Sequence, residues 1–356
     1  MGSKKALLIQ LPVPSARWPR ADANIPLASG YLAACALQSN PDWSVEILPW
    51  EIADIYGDEP LIRAILEREP QIVGFSLYLW NSERSAAIAK RLKGAGIFTV
   101  GGGPEVDPTN VWLVDHEGFD LLIEGEGEAK FSALLSSFPK IPLKLPDWLL
   151  DLSNLPSPYL SGVLPPFPDG SAWLETVRGC PFSCDYCNYG KRFASIRKFP
   201  QGWLASHLEW FRERGANEIY LMDPSFNVRD DWEEILSALE KSGGGEVFNF
   251  HSELAAEHLR AKDAAKLAAA GFRSVEVGLQ SADKSVLALV NRKWDRRKWL
   301  SRMKELSAEG ITASVGIIAG LPGDTLETFE ATLSFLLTEL PGAEIQLFPL
   351  AVLPGT

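Results

Sequence analysis

Short apolar runs alternate with amphipathic stretches from the start of the chain. "KALLIQLP" (5–12) is a brief apolar run closed by prolines and predicts a strand, and "LASGYLAACAL" (27–37) has helix-forming composition. "SVEILPW" (44–50), "QIVGFSLYL" (71–79) and "IFTVGGGP" (97–104) predict further strands, with amphipathic helices over 59–69 and 82–96 between them. "FDLLIEGEGEAKFSALLSSF" (119–138) reads as strand, glycine turn and helix. Strands alternating with helices make parallel βαβ units, so residues 1–138 predict an α/β, Rossmann-like doubly wound domain. Ligands on such sheets sit beyond the carboxyl ends of the strands.

Residues 139–168 hold eight of the 25 prolines. That density continues neither a helix nor a central strand, so 139–170 is expected to be a proline-rich linker. A second alternating series follows over 171–356. Its strands are expected at 172–179, 218–224, 247–253, 272–281, 312–320 and 344–350. Helices are expected at 230–242 and 255–271, and two more between the fourth and fifth strands. Six βα repeats predict a partial (β/α)6 barrel, where the closed form has eight.

The chain has 356 residues, enough for two cores, and 46% hydrophobic composition excludes a disordered or fibrous protein. Its net charge of −12 argues against broad binding to nucleic-acid phosphates. No apolar run has the length of a membrane span and no leader pattern opens the chain, so a cytoplasmic location is expected. Tryptophans such as Trp43, Trp210 and Trp299 stand in amphipathic stretches and read as packing residues.

Three of the four cysteines lie in "VRGCPFSCDYCNYG" (177–190), spaced Cys180-x-x-x-Cys184-x-x-Cys187, after the first strand of the second series. Clustered thiols suggest a metal or redox site rather than a disulfide framework. Three thiolates on one loop can hold three irons of a 4Fe–4S cube and leave the fourth iron open. A structural zinc wants a fourth ligand, and His207 lies beyond the usual short spacing. Inert core thiols fit poorly beside Pro181, Ser183 and Asp185; Cys35, alone in an apolar helix, fits that role.

"RGCPFSCDYC" resembles the signature of radical S-adenosylmethionine (radical SAM) enzymes, as do "VEVGLQSADKSVLALVNR" (275–292) and "GIIAGLPGDT" (316–325). The first half resembles the cobalamin-binding domain that precedes the barrel in one large subgroup, through "IPLASGYLAA" (25–34), "IVGFSLYLWN" (72–81), "VGGGPEVDP" (100–108) and "IEGEGEAKFSALL" (123–135). The resemblance implies a 4Fe–4S cluster on Cys180, Cys184 and Cys187, with SAM on its open iron. Tyr186 would pack by the adenine, Asp223 accept the SAM ammonium and Glu253 a ribose hydroxyl. Gln280 and Ser281 would reach the methionine carboxylate, and Gly316 and Gly320 let backbone approach the adenine. Cobalamin would lie on the loops at 12–18, 76–80, 101–104 and 125–128, at Pro12, Ser76, Tyr78, Gly102, Gly103, Gly125, Glu126 and Gly127. The Asp-x-His-x-x-Gly motif that supplies a lower cobalt ligand in many cobalamin proteins is absent, and His116 in "VDHEG" is misplaced for it, so the corrin is expected to lack a histidine ligand.

Such a protein would be a methyltransferase acting on an unactivated carbon. It would use SAM once to methylate cobalt and once to generate the 5′-deoxyadenosyl radical that takes the substrate hydrogen. The same machinery without net methyl transfer, in a cyclising, oxidative or ring-rearranging reaction, stands as the alternative. A non-catalytic cluster or corrin carrier is the alternative of another class. The implied partners are a small-molecule or peptide substrate and an electron donor such as flavodoxin or ferredoxin, with no nucleic acid. "LFPLAVLPGT" stops just after the sixth strand, where relatives usually continue; a missing C-terminal segment or an unusually compact member is expected.

Overall fold

The computed structural model describes residues 4–13, 25–55, 57–142, 144–165, 169–200 and 202–356. The chain forms two compact units, Met1–Pro165 with Leu353–Gly355, and Pro166–Val352.

In the first unit, strands β1 (Lys4–Ile9), β2 (Trp43–Ile47), β3 (Ile72–Ser76), β4 (Phe98–Gly102) and β5 (Leu121–Ile123) form one parallel sheet in the order β2-β1-β3-β4-β5. Helices α1 (Leu27–Ser39), α2 (Trp50–Ile55), α3 (Asp58–Leu66), α4 (Ser82–Gly94), α5 (Val111–Val114) and α6 (Glu128–Ser137) connect them. The side-chain period of two gives each face its own core. Leu7 and Ile9 pack with Leu61, Ile65, Ile88 and Leu92; Ala6 and Leu8 pack on the other side with Ala33, Ala36, Phe131 and Leu134. Both faces being covered explains why β3 is buried at every position. The strand order reverses direction between β1 and β3, which opens a crevice at their carboxyl ends.

The proline-rich stretch does not hang as a linker. The units divide at 165/166, and most of 139–165 belongs to the first. Leu152, Leu155, Tyr159 and Leu164 are buried. A Cβ on Gly30 of α1 would stand 2.5 Å from Leu164 Cδ1 and 2.8 Å from Pro158 Cβ, so α1 and this stretch are in close contact.

The second unit is a six-stranded parallel sheet of β6 (Ser171–Leu174), β9 (Glu218–Leu221), β10 (Asn249–Leu254), β11 (Phe272–Gln280), β12 (Thr312–Ala319) and β13 (Glu344–Pro349), adjacent in chain order. Two short strands, β7 (Val177–Arg178) and β8 (Arg197–Lys198), pair antiparallel and close the cysteine loop as a ribbon. The helices are α7 (Asn188–Arg192), α8 (Trp203–Glu213), α9 (Trp232–Lys241), α10 (Asp263–Ala269), α11 (Lys284–Leu289), α12 (Arg296–Ala308) and α13 (Leu326–Glu339). This is the expected six-repeat partial barrel, with two helices in the expected connection.

Two elements differ from expectation. The strand at 172–179 breaks after Leu174, because the Asp223 carboxylate accepts from Thr176 N at 2.7 Å and Val177 N at 3.0 Å and bends the chain into β7. The helix at 255–271 is a 3-10 turn and the seven-residue α10. Lys262 stands at φ +73 between them, and Asp263 caps the break by accepting from Arg260 N at 2.8 Å.

Candidate functional site

Glycine geometry shapes the cysteine loop. Gly179 has φ +106, and a Cβ there would collide with the Ser195 carbonyl oxygen; one on Gly190 would collide with the Phe182 carbonyl oxygen. The loop then bonds to itself. Cys180 N donates to Phe193 O at 2.8 Å, Cys187 N to Cys184 O at 3.1 Å, and Gly179 N to Tyr189 Oη at 3.1 Å. All three cysteines are free and half-buried. Burial, ahead of the charges of Cys187 and Cys184, pushes the Cys180 thiol up; a bound cation reverses that cost by taking the thiolate as ligand. Among the described residues no three His, Cys, Asp or Glu side chains gather tightly enough to hold a single metal ion. A tetrahedral zinc needs four donors around one point, whereas in a cube each thiolate takes its own iron. Three thiols on one loop could each take one iron of such a cube, whereas a structural zinc would want a fourth donor.

A second segment, the end of "VEVGLQSADKSVLALVNR" (275–292), grips this loop. Just past α11, Val290 O accepts from Asp185 N at 3.1 Å, and Asn291 Nδ2 donates to Ser183 O at 2.9 Å and Ser183 Oγ at 2.8 Å. Arg292 Nη1 lies 4.0 Å from Cys184 Sγ and 3.2 Å from Tyr186 Oη, while Nη2 donates to Gly278 O on β11. Arg292 is 108 residues from Cys184. The "VNR" letters alone carry no signal of that contact.

Asp223 requires a correction. It was expected to accept the SAM ammonium, but it is 1% exposed and its carboxylate is fully engaged. It accepts from Thr176 N, Thr176 Oγ1 and Val177 N, and pairs with Arg229 at 3.6 Å. Burial pushes its carboxyl up against the pull of those donors and of Arg229. Its task is to bend the chain from β6 into the cysteine loop.

Glu253, next to last in β10, lies on the face opposite the buried Phe250, Ser252 and Leu254, level with Glu276 of β11. Solvent reaches it, yet protein surrounds it on most sides. Desolvation, then the Glu276 charge, push its carboxyl up to about 7. Desolvation also raises Glu276, against a hydrogen bond from Gln346. Nearer the amino ends, Glu218 holds His251 at 2.8 Å, and His251 bonds Ser274. Gln280 stands at φ +70 beside an irregularity in the β11–β12 pairing. Ser281 is buried, and its Oγ accepts from Asp283 N at 3.1 Å. Gly320 has φ +87 and donates to Asp324 Oδ2, so its turn alone accounts for the glycine. Gly316 is different: a Cβ there would find nothing closer than Phe348 Cε2 at 3.9 Å. Protein packing leaves that position open, as a closely approaching ligand requires.

In the first unit, Ser76 and Gly102 end β3 and β4, and Pro12, Tyr78, Gly103, Gly125, Glu126 and Gly127 follow the carboxyl ends of β1, β3, β4 and β5, so the parallel topology gathers them at one edge. Residues 14–18 of the first expected loop lie outside the described residues. Ser76 Oγ meets Ser29 Oγ at 3.2 Å, and Tyr78 stacks on Trp80 with centroids 4.5 Å apart. Gly103, at φ +118, leaves no room for a Cβ against Leu77 O. Gly102 has only Ile123 O nearby, at 3.6 Å. Leu79 and Trp80 are exposed beside this polar edge, a mixed surface that suits a large macrocycle with amide arms. His116, the one histidine of this unit, precedes β5 at the opposite, amino edge, where its Nδ1 accepts from Gly118 N at 3.0 Å.

Comparison with known proteins agrees with both halves. The family description "Radical SAM superfamily" matches residues 174–336, and "B12 binding domain" matches 24–135. The chain is 28% identical over 334 residues to the cobalamin-dependent radical SAM methyltransferase TokK of Streptomyces tokunonensis, covering 81% of this chain and 48% of TokK. It is 26% identical over 332 residues to the 2-(S-pantetheinyl)-carbapenam-3-carboxylate methyltransferase of Streptantibioticus cattleyicolor, covering 81% and 48%. The chain thus spans about half the length of these two curated relatives. Its fold matches the solved structure of TsrM from Kitasatospora setae with cobalamin and a [4Fe-4S] cluster bound, with a TM-score of 0.80, 17% identity, and coverage of 99% of this chain and 76% of that one. No helix among the described residues is long and apolar enough to cross a membrane. Each of the two units thus matches one domain type, a B12-binding domain followed by a radical SAM domain.

Proposed function

We propose that the chain acts as a cobalamin-dependent radical SAM methyltransferase that methylates an unactivated carbon of a small-molecule or peptide substrate. The observation that carries this is the loop of three free thiols with no fourth, closed by two glycines that admit no side chain. The methyltransferase names of TokK and the carbapenam enzyme favour methyl transfer among the outcomes open to such a pair of domains.

When bound, the cluster, SAM and cobalamin supply a hydrogen-abstracting radical and a transferable methyl group, chemistry that side chains lack. The protein's own contribution is placement. Cys180, Cys184 and Cys187 present three sulfurs from one rigid loop, and Val290, Asn291 and Arg292 lock that loop to the barrel. Tyr186, whose hydroxyl accepts from Arg292, would pack beside the adenine. Glu253, titrating near 7, can accept from a ribose hydroxyl or donate to one at its carboxyl oxygens. Gly316 leaves backbone bare where the adenine would approach, and Gln280, at the end of β11, would reach the methionine carboxylate. In the first unit the carboxyl-edge glycines and Tyr78 would carry the corrin, without a histidine on its lower face. A low-potential carrier of the flavodoxin or ferredoxin class would supply the electron.

The test is anaerobic reconstitution with iron, sulfide and hydroxocobalamin, followed by iron counting, visible spectra, and incubation with SAM and dithionite. Four irons per chain, a corrin spectrum and release of 5′-deoxyadenosine are expected, and a product heavier by one methyl once substrate is supplied. Deoxyadenosine release with a product of no added methyl would move the assignment to a cyclising or oxidative reaction. Absence of release with a loaded cluster would leave a carrier.

A further inference from the structure

The guanidinium of Arg292 is held from three sides. Gly278 O fixes Nη2, Tyr186 Oη takes Nη1 at 3.2 Å, and Cys184 Sγ lies 4.0 Å from the same nitrogen. Among the described residues no ion pair within 4 Å is recorded for it, the Glu257 charge bears on it only electrostatically, and its Nε–H is buried without a partner. A half-buried cation with no directly paired carboxylate is costly, and leaving one of its donors unmade adds to the cost. Beyond the Glu257 charge, a permanently positive, planar group in that position is offset by negative charge at the sulfur it faces. Cluster potentials respond to net charge and to hydrogen bonds at the sulfurs.

We infer that Arg292 is a positioning residue that also sets the reduction potential of the cluster, holding Cys184 and Tyr186 in place and stabilising the reduced form by its charge. This rests on the cluster assignment made above. Reduction adds one electron, and so one negative charge, to the cluster beside the guanidinium. The electron comes from a low-potential reductant: dithionite or titanium(III) citrate in the test.

The experiment is a redox titration of the reconstituted full chain, followed by electron paramagnetic resonance, on wild type, Arg292→Gln and Arg292→Lys. At the potential that half-reduces the wild type, the reduced-to-oxidised ratio of the Gln protein is expected to fall about tenfold, equal to about 59 mV for one electron. The Lys protein should return toward wild type. A Gln protein that loads four irons and titrates with the wild-type midpoint overturns the inference. Where the Gln protein holds no cluster, the Lys protein decides: loading with the wild-type midpoint supports the charge role, and failure to load, or a displaced midpoint, overturns it. A wild-type chain that takes up no cluster fails the functional assignment first, a result separate from any difference between variants.

Discussion

Asp223 and Glu253 end neighbouring segments of one barrel, and their surroundings give them opposite tasks. Asp223→Ala would strand Thr176 N and Val177 N without their acceptor and take from the buried Arg229 one of its two carboxylate partners. A loss of about 3–5 kcal/mol is expected in urea unfolding, the range for breaking a buried charged pair. Iron loading should fall with it, since the bend into the cysteine loop goes too. Glu253 behaves otherwise. Its folded pKa, about 7, lies above the unfolded value of about 4.3. The folded chain therefore holds that proton more firmly, so stability is greatest in acid, declines as pH rises between those two values, and is flat above. Glu253→Gln removes the decline, and the difference in urea midpoint between variant and wild type should grow in the variant's favour from about pH 4.3 to about pH 7. The three cysteines stand out in the sequence because they lie close together along the chain. Asp223 was misread and Arg292 missed for one reason: the partners that define them lie 47 and 108 residues away.

Among the elements, the glycines separate folding from ligand contact. Gly190→Ala drives a methyl into the Phe182 carbonyl, and Gly179→Ala adds a left-handed backbone that a side chain disfavours. Each should destabilise the cysteine ribbon by about 1–3 kcal/mol and abolish four-iron loading. Gly316→Ala has room for its methyl, so thermal unfolding should hold steady or improve slightly, by about 0.4–1 kcal/mol. SAM affinity, measured by equilibrium dialysis on the loaded protein, should drop. If Gly316→Ala binds SAM normally, that glycine does not face the adenine. The βα alternation was readable because a period of two along buried strands and an amphipathic helical period are both imposed by burial. The break after Leu174 and the shortening to Asp263–Ala269 were not, because side-chain caps from Asp223 and Asp263 override the local pattern.

At the scale of the molecule, both doubly wound and barrel halves follow from the order of elements, whereas the proline-rich stretch does not. Prolines report that a segment is neither helix nor central strand, and they say nothing about whether it packs. Here it packs: Leu152, Leu155, Tyr159 and Leu164 are each at most 4% exposed, and Gly30 has no side chain to keep Pro158 and Leu164 away from α1. A first-unit fragment cut at residue 138 would bare that side of α1, while one cut at 165 would keep it covered. Burying a large apolar side chain is worth about 1.5–3 kcal/mol, so losing Tyr159 and Leu164 alone should cost the shorter fragment about 3–6 kcal/mol. The fragment 1–165 should therefore unfold cooperatively at a clearly higher urea midpoint than 1–138, read by tryptophan fluorescence. Coincident midpoints would mean that the stretch contributes no stability to the unit. Substitution of Gly30 by Leu should lower the longer fragment toward the shorter one, because the added side chain displaces the same residues that truncation removes.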